Sequence, residues 1–213
     1  MTEEQRESES KETGRLEAFS DGVFAIAITL LVLEIKIPQD LPENQHLGDA
    51  LLKEWPTYLA FVTSFFTILV MWINHHRLFT HIKRSDNTLL FLNGLLLLGV
   101  TFVPFPTALV ADYLEKSDEV VALMVYSGTY IFLAVFFNLL WRYAAYKNRL
   151  LARNANQSEV QGITKAYNFG PALYLICFIA APISPVFSLV IALGLAIFFA
   201  LPVRDRKAVP PEQ

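Results

Sequence analysis

From Ala166 to Val203 the chain carries no charged side chain. An apolar run that long has one stable setting, because about 20 apolar residues in a helix span a hydrocarbon layer about 30 Å thick. Backbone polar groups in lipid must bond within their own segment, so the run reads as helix. Ala181-Pro-Ile-Ser-Pro185 divides it into two helices, since proline removes a donor and clashes with the turn before it. Four more apolar stretches precede it: Arg15 to Ile37, Trp55 to Arg77, Thr88 to Ala111 and Val120 to Tyr146. The expected fold is an all-α polytopic membrane protein with six transmembrane helices per subunit. Charged residues make up 17% of the chain, against about 25% in soluble domains.

Proline punctuates these helices. Pro38 stops the first, Pro56 sits in the first turn of the second, and Pro104 with Pro106 kinks or breaks the third. Residues 1–14 read as a disordered polar tail, 15–203 as the six-helix domain and 204–213 as a second tail. A polar, acidic loop is expected over 38–53. Trp141 and Tyr143 are expected as interfacial anchors. Of the 17 Lys and Arg, only Lys36, Lys53 and Lys116 fall on the side of the odd-numbered loops. The positive-inside rule therefore puts both termini in the cytosol. The net charge of −3 offers no basic excess for nucleic acid, and the lone Cys177 precludes an intrachain disulfide.

The first helix is a poor one for facing lipid. Asp21 and Glu34 lie thirteen residues apart, or about 20 Å at 1.5 Å per residue, so at least one carboxylate lies at or inside the apolar boundary. Such groups face a bundle interior or a water-filled path. Ser20 or Asp21 acting merely as an N-cap is the plain alternative, but a helix of Gly22 to Glu34 is too short to span. The topology sets Ser20, Asp21, Asn74, His75, Asn93, Asn138 and Asn168 at a similar depth in the inner third of the membrane. A hydrogen-bond network around Asp21 is expected there, because unpaired polar groups in hydrocarbon are costly. Further out, Ile26, Thr29, Leu30 and Leu33 share one face, but Phe24, Ile28, Leu31 and Ile35 form an equally apolar one. Spacing alone cannot choose between them.

Other chemistries find little support. His75 and His76 point about 100° apart on a helix and rarely share one metal, and His46 and His81 add too few ligands for a His-rich membrane centre. No hydrolase elbow, phosphate loop, dinucleotide fingerprint or carbonyl-lined filter sequence is present, so neither an enzyme nor a cofactor is expected. A proton or small-solute transporter using Asp21 and His75 as a titrating pair remains the rival to a channel.

Arg15-x-x-x-Phe19-Ser20-Asp21-Gly-Val-Phe-Ala-Ile26-Ala-Ile-Thr29-Leu30-Leu-Val-Leu33-Glu34 closely resembles the first helix of bacterial members of the lysosomal/endosomal potassium-channel family. Trp72-Ile-Asn74-His75-His76 and the stretch from Asn93 to Phe102-Val-Pro-Phe-Pro-Thr107 also match family positions. The resemblance implies a single-repeat subunit that forms a homotetramer in a prokaryotic inner membrane, with four first helices around the pore. It implies that Ile26 forms the narrowest ring and Thr29 a hydroxyl ring, with the permeant potassium ion near both, and that Leu30 and Leu33 form further apolar rings. It also implies that Ser20 and Asp21 tie the pore helices to neighbours such as His75 and Asn93. Asp21 is further expected in the cytosolic mouth, attracting cations.

Overall fold

The computed structural model describes residues 3–36, 46–152 and 155–200, with residues 3–10 by their backbone alone. Eight α-helices follow one another among them: α1 (Glu3–Leu30), α2 (Leu47–Lys53), α3 (Trp55–His81), α4 (Asn87–Phe102), α5 (Pro104–Tyr113), α6 (Glu119–Ala145), α7 (Gln157–Ala180) and α8 (Pro185–Ala200). Five spans are long and apolar enough to cross a membrane: Lys11–Glu34, Trp55–His81, Asn87–Tyr113, Glu119–Asn148 and Gln157–Ala180. The sixth expected span corresponds to the shorter apolar helix α8.

The helix ends refine the sequence reading. Helix α1 runs back to Glu3, where a disordered tail was expected. Glu, Gln, Arg and Lys are good helix formers, and a spanning helix already in place removes the nucleation cost of extending through them. At its other end α1 tightens into a 3-10 turn, Leu31–Glu34. Pro38 and the tail 204–213 lie outside the described residues. Helix α2 occupies part of the expected polar loop. Helix α3 continues to His81, four residues past Arg77. Helix α7 starts at Gln157 because the Asn156 side chain caps it, accepting from the Ser158 N–H at 3.0 Å. The proline break is as expected: α4 ends at Phe102 and α5 begins at Pro104, with the Thr107 hydroxyl donating to the Val103 carbonyl at 2.9 Å.

Helix α3 is the central member and packs on α1, α5 and α8. Its buried face carries Ala60, Thr63, Ser64 and Thr67, small residues that let neighbouring backbones approach closely. Ser64 bonds Thr107 of α5 at 2.7 Å and Tyr126 of α6 at 3.2 Å, which ties three helices at one point. Helix α6 pairs along its length with α7 and also covers α4. Trp141 is fully buried and its indole N–H donates to Thr164 at 2.8 Å, while Tyr143 donates to Asp86 at 2.7 Å. Trp141 is therefore a core residue, not the interfacial anchor expected from sequence. Tyr146, one turn on, is the exposed aromatic.

Helices α4 and α6 approach closely at Gly99, where a Cβ would sit 2.8 Å from Leu133 and 2.9 Å from Phe132. Leu133 is itself fully buried and has little room to move. Gly99→Val is therefore expected to cost about 1–3 kcal/mol by overpacking. Thermal unfolding in detergent checks this: the melting temperature falls for Gly99→Val and falls less for Gly99→Ala.

Candidate functional site on the first helix

Helix α1 has two unlike faces. Thr13, Ser20, Phe24, Ala27 and Leu31 are buried, at the helical spacing of one stripe that packs on α3 and α4. A directed chain of hydrogen bonds crosses that contact. His75 Nε2 donates to Asn93 Oδ1 at 2.9 Å, Asn93 Nδ2 donates to Ser20 Oγ at 2.9 Å, and Ser20 Oγ donates to the Leu16 carbonyl at 2.8 Å. Every member has one defined role, which sets the His75 tautomer with its proton on Nε2. The imidazole is packed among Phe79 at 4.5 Å, Phe24 at 5.3 Å and Phe137 at 6.5 Å between ring centres. Its Nδ1 makes no bond among the described residues. Three helices are thus joined through fully or nearly fully buried Ser20, His75 and Asn93.

A second, more open pair of links lies beside the first. Asp21 Oδ1 accepts from the Trp72 indole N–H at 2.8 Å, and Glu17 Oε1 meets His76 Nδ1 at 2.7 Å. Glu17 and Asp21 are four apart on α1, as are Trp72 and His76 on α3, so the four side chains make two parallel rungs. Trp72 and His76 also stack, with ring centres 6.2 Å apart. The outer end of α1 is held separately, where Lys36 forms an ion pair with Asp112 at 2.7 Å. The Asp112 carboxylate raises the Lys36 ammonium above the usual lysine range.

The opposite stripe of α1 is uncovered. Arg15, Phe19, Gly22, Ile26, Thr29 and Leu33 are all exposed, with Ile26 at 60% and Leu33 at 69%. Leu30 flanks them at 41%. Helix α7 is also open, and from Phe169 onward its exposed residues Phe169, Ala172, Leu175, Ile176 and Ile179 are apolar, while Lys165 and Asn168 are exposed nearer its start. The α1 stripe interleaves a cation, a glycine and a hydroxyl with its apolar residues, and the exposed face of α4 likewise carries Gly94 and Thr101 between Phe91 and Leu98. The ambiguity left by spacing is thereby resolved: Phe24 and Leu31 pack inward, and Ile26, Thr29, Leu30 and Leu33 point away from the subunit.

Two expectations are corrected. The polar layer is not one network around Asp21 but several separate links. Asn74 donates to the Phe199 carbonyl at 3.2 Å and Asn138 to Asn168 at 3.2 Å, each apart from the Ser20 chain. Nor does Asp21 share the Ile26 face. At 100° per residue it lies about 140° around the helix from Ile26, where it accepts from Trp72 of α3. No hydrogen bond joins Asp21 to His75. The Glu17–His76 and Asp21–Trp72 pairings were missed, although matched i, i+4 pairs on two neighbouring helices were visible in the sequence.

These features define a polytopic helical membrane protein whose first helix is tied down on one face and uncovered on the other. A family profile described as "Endosomal/lysosomal potassium channel TMEM175" matches residues 15–104, the region that holds α1, α3, α4 and the chain of hydrogen bonds. A potassium channel of Chamaesiphon minutus is 56% identical over 91% of this chain and 96% of its own. A potassium channel of Streptomyces collinus is 40% identical over 94% and 98%. The crystal structure of a lysosomal potassium-selective channel TMEM175 homolog from Chamaesiphon minutus superposes with a TM-score of 0.83, at 52% identity, over 92% of this chain and 100% of that one. The chain belongs to the TMEM175 family.

Among the described residues, Asn93 is the one hydrogen-bonded link between His75 and Ser20. Asn93→Ala leaves a buried imidazole N–H without a partner and is expected to cost about 1–3 kcal/mol. The check is the melting temperature in detergent, which Trp72→Phe, at the more exposed rung, lowers by less.

Proposed function

We propose that four copies of this chain assemble about one axis as a potassium-permeable channel, with the exposed stripe of α1 lining the path. The carrying observation is that stripe: a helix anchored on one face by buried hydrogen bonds presents Arg15, Phe19, Gly22, Ile26, Thr29 and Leu33 outward, uncovered by any described part of the subunit. Helix α1 sits at the edge of its own bundle, so only further copies can enclose a conduit along it. The relatives described as potassium channels support the choice of ion.

The chemistry follows from the order of residues on the stripe. Ile26 forms the narrowest ring and offers no ligands, so an ion passes there only after shedding part of its water. Hydrophobic constrictions of this kind gate by dewetting. One turn outward, the Thr29 hydroxyl donates its proton to the Ile26 carbonyl at 2.9 Å. Its lone pairs, not its proton, are left for a passing cation. Four such oxygens replace some of the lost water. Potassium holds water less tightly than sodium, so the path favours potassium, to a modest degree. Leu30 and Leu33 continue the apolar lining outward. The path needs no cofactor or resident metal, and its function is conduction and not catalysis.

The excess of Lys and Arg on one side supports cytosolic termini in a prokaryotic inner membrane. Chicken TMEM175, described as an endosomal/lysosomal proton channel, is 35% identical over 67% of this chain and 30% of its own. A proton relay from Asp21 to His75 is disfavoured here, since Trp72 and Asn93 engage the two groups separately.

Two measurements test this reading. Ile26→Asn replaces an apolar ring by amides and is expected to raise conductance while lowering potassium-over-sodium selectivity; unchanged currents would remove Ile26 from the neck. Chemical crosslinking of the intact protein in mild detergent is expected to stop at four subunits, and a dominant dimer would contradict the single-axis pore.

A further inference from the structure

Helix α6 ends in a turn of the kind glycine usually makes, yet built without glycine. Lys147 has φ 52° and Asn148 φ 53°, a left-handed conformation that disfavours residues with a Cβ. The surroundings hold it in place. The Leu150 N–H returns to the Ala144 carbonyl at 3.0 Å, and Arg84 Nη2 donates to the Asn148 carbonyl at 2.9 Å and the Leu151 carbonyl at 3.1 Å. Lys83 N donates to the Leu150 carbonyl at 2.8 Å, and Ala152 N to the His81 carbonyl at 3.3 Å. The α3–α4 and α6–α7 connections are therefore laced into one platform, with Ile82 and Leu151 bridged in antiparallel fashion.

The platform carries unbalanced positive charge. Lys83, Arg142, Lys147 and Arg149 are exposed on it. Of the described carboxylates at this end, Asp86 is already engaged by the Tyr143 hydroxyl at 2.7 Å and the Leu89 N–H at 2.9 Å, and Glu159 in the first turn of α7 forms no ion pair with a described residue. Neither Lys147 nor Arg149 forms an ion pair with a described residue. Each lies over a tyrosine ring instead, Lys147 at 5.4 Å from Tyr146 and Arg149 at 4.9 Å from Tyr143. The apolar length of α6 stops at Ala145, so this turn falls where a spanning helix leaves the hydrocarbon. Tyr146 is 64% exposed there, at the level where aromatic rings meet headgroups.

We propose that this platform is a binding site for anionic phospholipids, with Lys147 and Arg149 holding the headgroup phosphate and Tyr146 packing beside it. Anionic lipids are favoured over zwitterionic ones because the four exposed cations outnumber Asp86 and Glu159, and none of the four forms an ion pair with a described residue. Clusters of Lys and Arg at a membrane-exit turn attract anionic headgroups in this way. The proposal needs only that α6 spans the membrane, so it stands or falls apart from the potassium pore.

Native mass spectrometry of the full-length protein tests it, using micelles that hold equal phosphatidylglycerol and phosphatidylcholine. Phosphatidylglycerol adducts are expected to survive activation that strips phosphatidylcholine. In Lys147→Gln/Arg149→Gln that preference should fall by about fivefold for each charge removed, with phosphatidylcholine adducts unchanged. The charge-keeping Lys147→Arg/Arg149→Lys should retain it. Equal retention of the two lipids by the parent protein overturns the proposal without any variant. So does undiminished phosphatidylglycerol binding in a double-Gln protein that melts like the parent. Displacement of phosphatidylglycerol by millimolar inorganic phosphate would identify a free-phosphate site and also overturn it.

Discussion

One amide, Asn93, sets the rotation of the first helix. Apolar helices in lipid have no hydrophobic reason to present one face to their neighbours over another, so packing and hydrogen bonds must choose. Here Asn93 accepts a hydrogen bond from His75 and donates one to Ser20, and both partners lie in the core. Turning α1 by one residue would break that chain and move Ile26 off its stripe by about 100°. The buried hydrogen bonds thus determine which residues of α1 face out of the subunit. A polar chain deep inside the subunit positions an apolar stripe on its outside.

The rest of the bundle supports this arrangement. Helix α3 supplies both His75 and Trp72, and it is held centrally by small and hydroxyl residues against α5 and α8. The proline break after Phe102 lets the third span redirect. Thr107 then reaches Ser64, while Asn93 stays level with Ser20. At the outer end the Lys36–Asp112 pair is exposed and worth little in itself. The strength of the α1 contact therefore lies at the Ser20 level, and the outer half of the helix is held mainly by Phe24, Ala27 and Leu31.

Span positions were legible because each is written in apolar length and proline, as at Ala181-Pro-Ile-Ser-Pro185 and Pro104. Helix ends were less so. Polarity marks where lipid stops, whereas capping and propagation decide where a helix stops. Asn156 and the tail from Glu3 follow the second rule. The common depth of Ser20, His75 and Asn93 was readable from topology, but direction around the helix was not. Depth alone therefore joined Asp21 to a network from which Trp72 separates it. The choice between the Ile26 and Phe24 faces needed the packing itself, since both are equally apolar. Trp141 looked like an interfacial residue by position, and its indole N–H instead found Thr164 inside the bundle.

The central claim is that the Ile26 stripe forms a conductive, potassium-favouring path. Bi-ionic reversal potentials across bilayers reconstituted with the full chain test it most directly. The account predicts a current that reverses on the potassium side of zero against sodium and follows the potassium gradient at fixed pH. Electroneutral flux, or a reversal potential that tracks only the proton gradient, would contradict it.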